Sequence, residues 1–372
     1  MILKDRLPIP VSSLRTKTRR KYFPPLKALN QISWMNAASH LFLRSFSTRS
    51  PFEPMKLHVE WLEAQKRNQS DSSGEDDDDD DTDRYTILFL HGLLGNGRNL
   101  KTFARTVVKQ RDPFCHGGIL MDLPGHGKSY DLAKTDQYFA TGAAAVQQKR
   151  SYTFQQCVQD VDYTLRELHQ QQLAAPAAVV VGHSWGGRLA LEYAAASSTN
   201  GTPLKALWLL DTVPGQTHES VDRVIAAISN IVEEGLDTNR KDLVEKLTGK
   251  HGLELGLAQW LASSYNPETK DFGFDLDLVQ NLKPEFANQD FLGLLRVILE
   301  RNDKDSTPSK STQVHLVRGG KNSAWSVKTL AELEKLSQQF PNMFHLHVLP
   351  TAGHWVHVDD LPGLVALFEK HS

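Results

Sequence analysis

The sequence predicts an α/β protein with a mostly parallel central sheet, helices on both faces of that sheet and a helical insertion near one end of it. Short, nearly continuous apolar runs alternate with segments whose apolar residues recur every three or four positions. That alternation is typical of buried parallel strands joined by helices. Over about residues 212–311 the helical periodicity continues without a strand-like run, which predicts the insertion.

The apolar runs locate the strands in chain order. We expect strands at Leu57–Leu62, Thr86–Leu90, Ile119–Asp122, Ala177–Val181, Ala206–Leu210, Val314–Val317 and Phe344–Leu349. Helical faces lie between them, for example Phe154 to Leu168 and Val327 to Leu336, where apolar residues step by three or four. We therefore place one α/β domain at residues 55–372, with a helical lid at about residues 212–311.

Composition excludes several classes of protein. The chain has 372 residues, 40% hydrophobic and 23% charged, which is typical of a soluble globular protein with one large core. The net charge of −2 gives no electrostatic reason to expect nucleic acid as a partner. No apolar run approaches the roughly 18 residues that a membrane helix needs. The two cysteines are too few for a disulfide framework and indicate a reducing compartment.

The first 50 residues are strongly basic. They contain ten Lys or Arg against one acid, Asp5, and many Ser and Thr, which is the composition of an organellar transit peptide. The segment Arg44–Ser47 resembles a mitochondrial processing site. We therefore predict a transit peptide over residues 1–46 and a mitochondrial, matrix location. A plastid location, or a cytoplasmic enzyme with a disordered basic tail, is the alternative. Residues 1–46 carry nine positive charges and one negative charge, so their removal would change the net charge of the chain from −2 to about −10.

Two further segments fall outside the strand and helix pattern. Residues 70–83 include seven consecutive acids, Glu75–Asp81, whose mutual repulsion predicts a solvated, disordered loop. The spaced ligands of an EF-hand are absent from this loop. Because it separates two of the predicted strands, we expect it to connect early strands of one sheet. Residues 131–150 form a second additional stretch.

The motif Gly182-His183-Ser184-Trp185-Gly186 carries the strongest chemical signal. It follows a buried apolar run and precedes an Ala-rich helical segment, which is the strand–turn–helix setting of a nucleophile elbow. The serine of such an elbow occupies a strained turn that leaves no room for neighbouring β-carbons, hence the glycines. The positive end of the following helix would stabilise an anion there. We therefore identify Ser184 as the candidate nucleophile.

The elbow motif and the alternation of strands and helices together resemble the α/β-hydrolase fold from about Met55 to Ser372. The segment His91-Gly92-Leu93-Leu94-Gly95, which we call the HG loop, resembles the family's oxyanion loop. This resemblance implies that the N–H groups of Leu93 and Trp185 bind the oxyanion. Asp122–Ser129 resembles a D-x-P-G-x-G-x-S turn, whose role we interpret as structural. The resemblance also implies that His354, in Ala352-Gly353-His354-Trp355 after the last strand, is the catalytic base.

The catalytic acid departs from the usual pattern of the family. Relatives carry Asp in a G-x-x-D turn after the strand that corresponds to Val314–Val317, but Asn322 occupies that position here. Asp211 follows the preceding strand, at the alternative acid position of this fold, and we expect it to orient His354. A turn-forming role for Asp211 is the alternative, with the acid then among three residues of the lid: Asp237, Asp275 and Asp277.

Three short motifs narrow the resemblance further. Together, G-G-x-N-S, G-H-S-x-G-G and A-G-H-W-x-H resemble the group of the mitochondrial α/β-hydrolase domain-containing protein 11 and small bacterial esterases. This resemblance implies hydrolysis of small carboxylic esters, acyl or lipid-like, through an acyl-enzyme on Ser184, without metal or organic cofactor. C–C bond hydrolases and haloperoxidase-like members share the serine elbow. A binding or scaffold protein that retains an unused triad is the non-enzymatic alternative.

Overall fold

The structure describes most of the predicted α/β domain, in seven segments. The structure, a computed structural model, describes residues 54–64, 84–109, 114–139, 152–200, 204–235, 238–304 and 311–371. The predicted transit peptide, the acidic loop 70–83 and residues 140–150 lie outside these ranges, so those expectations stay predictions.

Seven strands form the central sheet: β1 (Val59–Glu63), β2 (Tyr85–Leu90), β3 (Cys115–Met121), β4 (Ala177–His183), β5 (Ala206–Leu210), β8 (Gln313–Gly319) and β9 (Phe344–Leu349). Their order across the sheet is β1-β3-β2-β4-β5-β8-β9. β1 is antiparallel to β3, and every other neighbouring pair is parallel. This arrangement confirms the predicted mostly parallel sheet.

Helices connect the strands and enclose the sheet. Around the sheet lie α1 (Lys101–Lys109), α2 (Gly127–Phe139), α3 (Phe154–Gln170), α4 (Trp185–Asn200), α11 (Val327–Gln339), α12 (Val356–Asp359) and α13 (Leu361–Lys370). Side chains of a strand alternate between the two faces, so Val180 of β4 packs with α3 and α4, while Val179 and Val181 pack with α1 and α13. Each face therefore has its own buried core.

The two strands that flank the acidic loop belong to one sheet, as predicted. The last residue of β1, Glu63, pairs with Gly117, and the first residue of β2, Tyr85, pairs with Cys115. Both partners lie at the start of β3. The chain therefore leaves β1 and enters β2 at the edge where the parallel strands begin, opposite the edge where they end.

The lid is helical, as predicted, with one addition. Between β5 and β8 lie α5 (Glu219–Glu233), α6 (Arg240–Gly249), α7 (Leu255–Ser263), α8 (Leu276–Asn281), α9 (Lys283–Asn288) and α10 (Phe291–Lys304). A two-stranded sheet of β6 (Tyr265–Asn266) and β7 (Asp271–Phe272) was not predicted, because two-residue strands leave no periodicity to detect. Ile228 and Leu261 belong to a separate core that also buries Leu94 of the HG loop. Within the described residues, no helix combines the length and apolar character that crossing a bilayer requires.

Candidate active site

Ser184 lies at the sharp turn between β4 and α4. Its φ of +54° is in the left-handed region that non-glycine residues rarely adopt. A β-carbon on Gly182 would lie 2.4 Å from the carbonyl oxygen of Gly186, and one on Gly186 would lie 2.4 Å from that of Leu90. These approaches explain why the elbow needs glycine on both sides of the serine.

The structure brings the three predicted triad residues together. His354 Nε2 lies 3.1 Å from Ser184 Oγ, and His354 Nδ1 lies 2.7 Å from Asp211 Oδ2. Ser184 follows β4, Asp211 follows β5, and His354 lies in the loop after β9. All three strands end at the same edge of the sheet, which is why residues so far apart in sequence meet.

Asp211 is fully buried and its carboxylate accepts four hydrogen bonds. Gly319 N–H and Trp325 Nε1–H donate to Oδ1, each at 2.8 Å. Asn322 Nδ2 and His354 Nδ1 donate to Oδ2. These four donors replace the water that burial removes from the carboxylate. Asn322 therefore does not replace the acid; it is a hydrogen-bond donor to it.

The other candidate acids have different surroundings. Asp275 accepts hydrogen bonds from the N–H groups of Asp277 and Leu278 and thereby caps α8, and Asp277 lies in the first turn of that helix. Asp237 lies outside the described residues. Among the described carboxylates, Asp211 is the hydrogen-bond partner of His354.

The HG loop lies beside the elbow, as the oxyanion prediction requires. A β-carbon on Gly92 would lie 3.4 Å from the Ser184 side chain. Trp185 is the first residue of α4, so its N–H has no partner within the helix. In the described part of the chain, no turn or loop hydrogen bond uses the N–H of Leu93 or of Trp185. Both groups, together with the positive end of α4, are therefore available to an anion beside Ser184.

Two buried histidines hold the HG loop in place, and sequence reasoning missed both. Leu123 N–H donates to His91 Nε2 at 2.9 Å, and Leu94 N–H donates to His126 Nε2 at 3.1 Å. The HG loop thus supplies His91 to the backbone of the Asp122–Ser129 turn, and that turn supplies His126 to the backbone of the HG loop. Burial lowers the pKa of His91 to about 4 and that of His126 to about 3, with the neighbouring His91 lowering the latter further. Both rings are therefore neutral at physiological pH, as an accepting nitrogen requires.

Two more buried histidines lie behind His354. His183 Nε2–H donates to the carbonyl oxygen of His354 at 2.9 Å, which ties the elbow to the histidine loop. The ring centroid of His183 lies 4.8 Å from that of His354 and 4.6 Å from that of His357. Burial, reinforced by the neighbouring histidines, lowers the pKa of His183 well below its usual range and that of His357 to about 4. Both rings beside His354 are therefore neutral at neutral pH.

The fold and this constellation define a hydrolase. The chain belongs to the α/β-hydrolase family, whose model matches residues 87–367.

Two curated relatives are esterase-like enzymes. The chain is 24% identical to an sn-1-specific diacylglycerol lipase, ABHD11, from Danio rerio, over 74% of this chain and 75% of that protein. It is 25% identical to the esterase YbfF of Escherichia coli strain K12, over 82% of this chain and 94% of that protein.

Solved structures share the fold at low identity. An esterase from a marine microorganism superposes with a TM-score of 0.58 and 17% identity, covering 86% of this chain and all of that one. An E-2-(acetamidomethylene)succinate hydrolase gives a TM-score of 0.54 and 17% identity, with 85% and 94% covered. These similarities support the α/β-hydrolase fold.

Proposed function

We propose that the protein is a serine esterase that cleaves carboxylic esters with acyl or lipid-like groups. The continuous hydrogen-bond chain from Ser184 through His354 to the buried carboxylate of Asp211 is the observation that carries this proposal. An imidazole placed between a hydroxyl and a buried carboxylate is the arrangement that activates a serine for acyl transfer.

The reaction follows from the positions of these groups. Ser184 Oγ attacks the ester carbonyl carbon as its proton moves to His354 Nε2, and Asp211 stabilises the resulting imidazolium. The N–H groups of Leu93 and Trp185 bind the oxyanion. His354 then protonates the leaving alcohol, and an acyl group remains on Ser184. Water, deprotonated by His354, attacks the acyl carbon, and His354 returns that proton to Ser184 Oγ as the C–O bond breaks and the carboxylic acid is released.

Apolar side chains beside the triad favour an acyl substrate. Trp355 directly follows His354, and its ring centroid lies 5.7 Å from that of Trp260 on lid helix α7. Leu93 packs partly buried against the lid core. A short or medium acyl chain beside Ser184 would contact these surfaces and lose its contact with water. The names of the curated relatives, a diacylglycerol lipase and an esterase, support the same class of substrate.

The test is Ser184→Ala, with Ser337→Ala as the matched control. Ser337, on α11, donates to the carbonyl oxygen of Phe344 at the start of β9, a contact that does not involve the elbow. Hydrolysis of p-nitrophenyl esters from acetate to decanoate should fall about 10⁴- to 10⁶-fold in Ser184→Ala, and fluorophosphonate labelling should disappear. Ser337→Ala should match the wild type. Labelling that persists in Ser184→Ala would contradict the assignment, and a folded wild type without labelling would favour a binding or scaffold role.

A further inference from the structure

Arg188 is a buried cation on α4, one helical turn after Ser184. Only 2% of its surface is exposed. A buried guanidinium must have its donors satisfied, because the interior offers no water. Most buried arginines pair with a carboxylate, but the hydrogen bonds of Arg188 in the described part of the chain go to backbone carbonyls and one amide. None of these hydrogen bonds is part of the Ser184–His354–Asp211 chain, so the triad does not explain why Arg188 is buried here.

The guanidinium joins two segments of the lid that are far apart in sequence. Nη2 donates to the carbonyl oxygens of Val213 and Gly215, the latter at 2.6 Å. Nη1 donates to the carbonyl oxygen of Phe286 at 3.2 Å and to Gln289 Oε1 at 3.1 Å. Val213 and Gly215 begin the lid, whereas Phe286 and Gln289 lie in and just after α9. One side chain of the nucleophile helix therefore holds both.

Aromatic rings and a second side chain complete this contact. The guanidinium carbon lies 5.3 Å from the ring centroid of Phe286 and 5.7 Å from that of Phe291, within range of a cation–π interaction. Gln289 Nε2 donates to the Arg188 carbonyl at 3.1 Å and to Glu192 Oε1 at 2.8 Å. The later part of the lid is thus fixed to two successive turns of α4.

The same contact lies close to the catalytic acid. Val213 is two residues after Asp211, whose φ of +44° is unfavourable for a residue with a side chain. On its other side, Asp211 N–H donates to the Val317 carbonyl at 2.7 Å. β8 thus holds the strained turn at Asp211 itself, whereas Arg188 holds the chain just after that turn, where the lid begins.

We propose that Arg188 is a positioning residue that fixes the lid to the nucleophile helix and so sets the affinity for longer acyl chains. The inference rests on the proposed esterase function for its kinetic readout. The planar guanidinium fork can donate to both lid segments at once, whereas a lysine ammonium keeps the charge but lacks that fork. Arg188→Lys therefore loosens the lid while the hydrogen bonds of the triad residues remain.

The experiment compares Arg188→Lys and Arg188→Met with Arg301→Met as the matched control. Arg301, on lid helix α10, also donates to a carbonyl of α4, that of Ala195 at 3.1 Å, but this contact lies beyond Arg188 and Glu192 on α4 and does not involve the segments at 213–215 or 286–289. The readouts are kcat and KM for p-nitrophenyl acetate and octanoate, and amide hydrogen exchange over residues 213–289. For Arg188→Lys we expect kcat on acetate within about fivefold of wild type, KM for octanoate raised about tenfold, and faster exchange in the lid. Arg301→Met should change none of these.

The outcomes separate this inference from the proposed function. A wild-type ratio of the two KM values in Arg188→Lys, or unchanged lid exchange, would overturn the role of Arg188. If Arg188→Met does not fold, the lysine variant still decides. If the wild-type protein hydrolyses neither ester, the proposed function fails, and hydrogen exchange in the folded Arg188→Lys protein still tests the attachment of the lid.

Discussion

Changing Asp211 to Asn alters one atom of the site and, with it, the proton on His354. In the wild-type protein the Asp211 carboxylate accepts four hydrogen bonds, two on each oxygen. An amide of the same shape has one accepting oxygen and one NH₂ group. If the NH₂ group faces His354, it donates to Nδ1, so the imidazole proton moves to Nε2. That nitrogen then cannot accept the proton of Ser184.

The magnitude follows from the tautomer and from the unpaired donor. Loss of the correct tautomer and of the countercharge is expected to reduce turnover about 10⁴-fold, which corresponds to about 5.4 kcal/mol of transition-state stabilisation. With the NH₂ group toward His354, the change of tautomer satisfies that contact, and Asn322 Nδ2 is the donor left without an acceptor. At about 1–3 kcal/mol for an unsatisfied buried group, the free energy of unfolding should fall by about 1–3 kcal/mol.

The assay measures kcat for p-nitrophenyl butyrate alongside thermal unfolding, so that lost activity is not confused with lost fold. Asn322→Ala is the control, because it removes one donor to Asp211 but leaves an acceptor for His354. We expect it to reduce turnover no more than about tenfold. Combining Asp211→Asn with Asn322→Asp should recover part of the activity. A folded Asp211→Asn protein with turnover within tenfold of wild type would refute the reasoning and direct attention to the lid carboxylates, Asp237, Asp275 and Asp277.

Three further predictions concern the elbow, pH and targeting. Gly186→Ala should abolish activity and destabilise the fold, because its β-carbon would lie 2.4 Å from the Leu90 carbonyl oxygen; a urea-unfolding midpoint equal to wild type would contradict this. Because burial lowers the pKa of His91 and His126 below the ordinary value of 6.5, the unfolded chain binds protons first as pH falls. The free energy of unfolding should therefore be highest above pH 6.5 and decline below it, by roughly 2 kcal/mol per histidine at pH 5. In urea unfolding, His126→Gln should show a smaller decline between pH 7 and pH 5 than the wild type. An equal decline would argue against the buried histidines as its source. Residues 1–46 fused to a fluorescent reporter should direct it to mitochondria, and retention in the cytoplasm would contradict the targeting prediction.

The sheet and the candidate triad were accessible from sequence because they depend on local patterns. Buried parallel strands need continuous apolar runs, and the elbow needs glycine where the backbone approaches other chain segments closely. Asp211 could be chosen because Asn322 cannot supply a carboxylate and an apolar strand ended in Asp one strand earlier. The meeting of Ser184 and Asp211 on His354 depends on strand order, which the sequence indicated only through resemblance.

The contacts that support the site were not accessible in the same way. His91 and His126 lie in two recognised motifs, but nothing in the local sequence shows that each ring accepts a hydrogen bond from the backbone of the other loop. The positions of Arg188 and Trp325 gave no signal either, since a helical arginine and a loop tryptophan are ordinarily solvent-facing and packing residues. Their roles follow from long-range geometry, in which a buried donor must find an acceptor.

The way the chain crosses between β1 and β2 has a practical consequence. Glu63 and Tyr85 lie on opposite sides of β3, and their partners on β3 are two residues apart. The gap between them is therefore about 12 Å, which about four residues can bridge. This junction lies at the end of the sheet farthest from Ser184, about 20 Å away along the strands. A short engineered turn can therefore replace the acidic segment, or an affinity tag or surface tether can be inserted there. An immobilised enzyme attached at this junction would present its lid and reacting serine outward, toward the substrate solution.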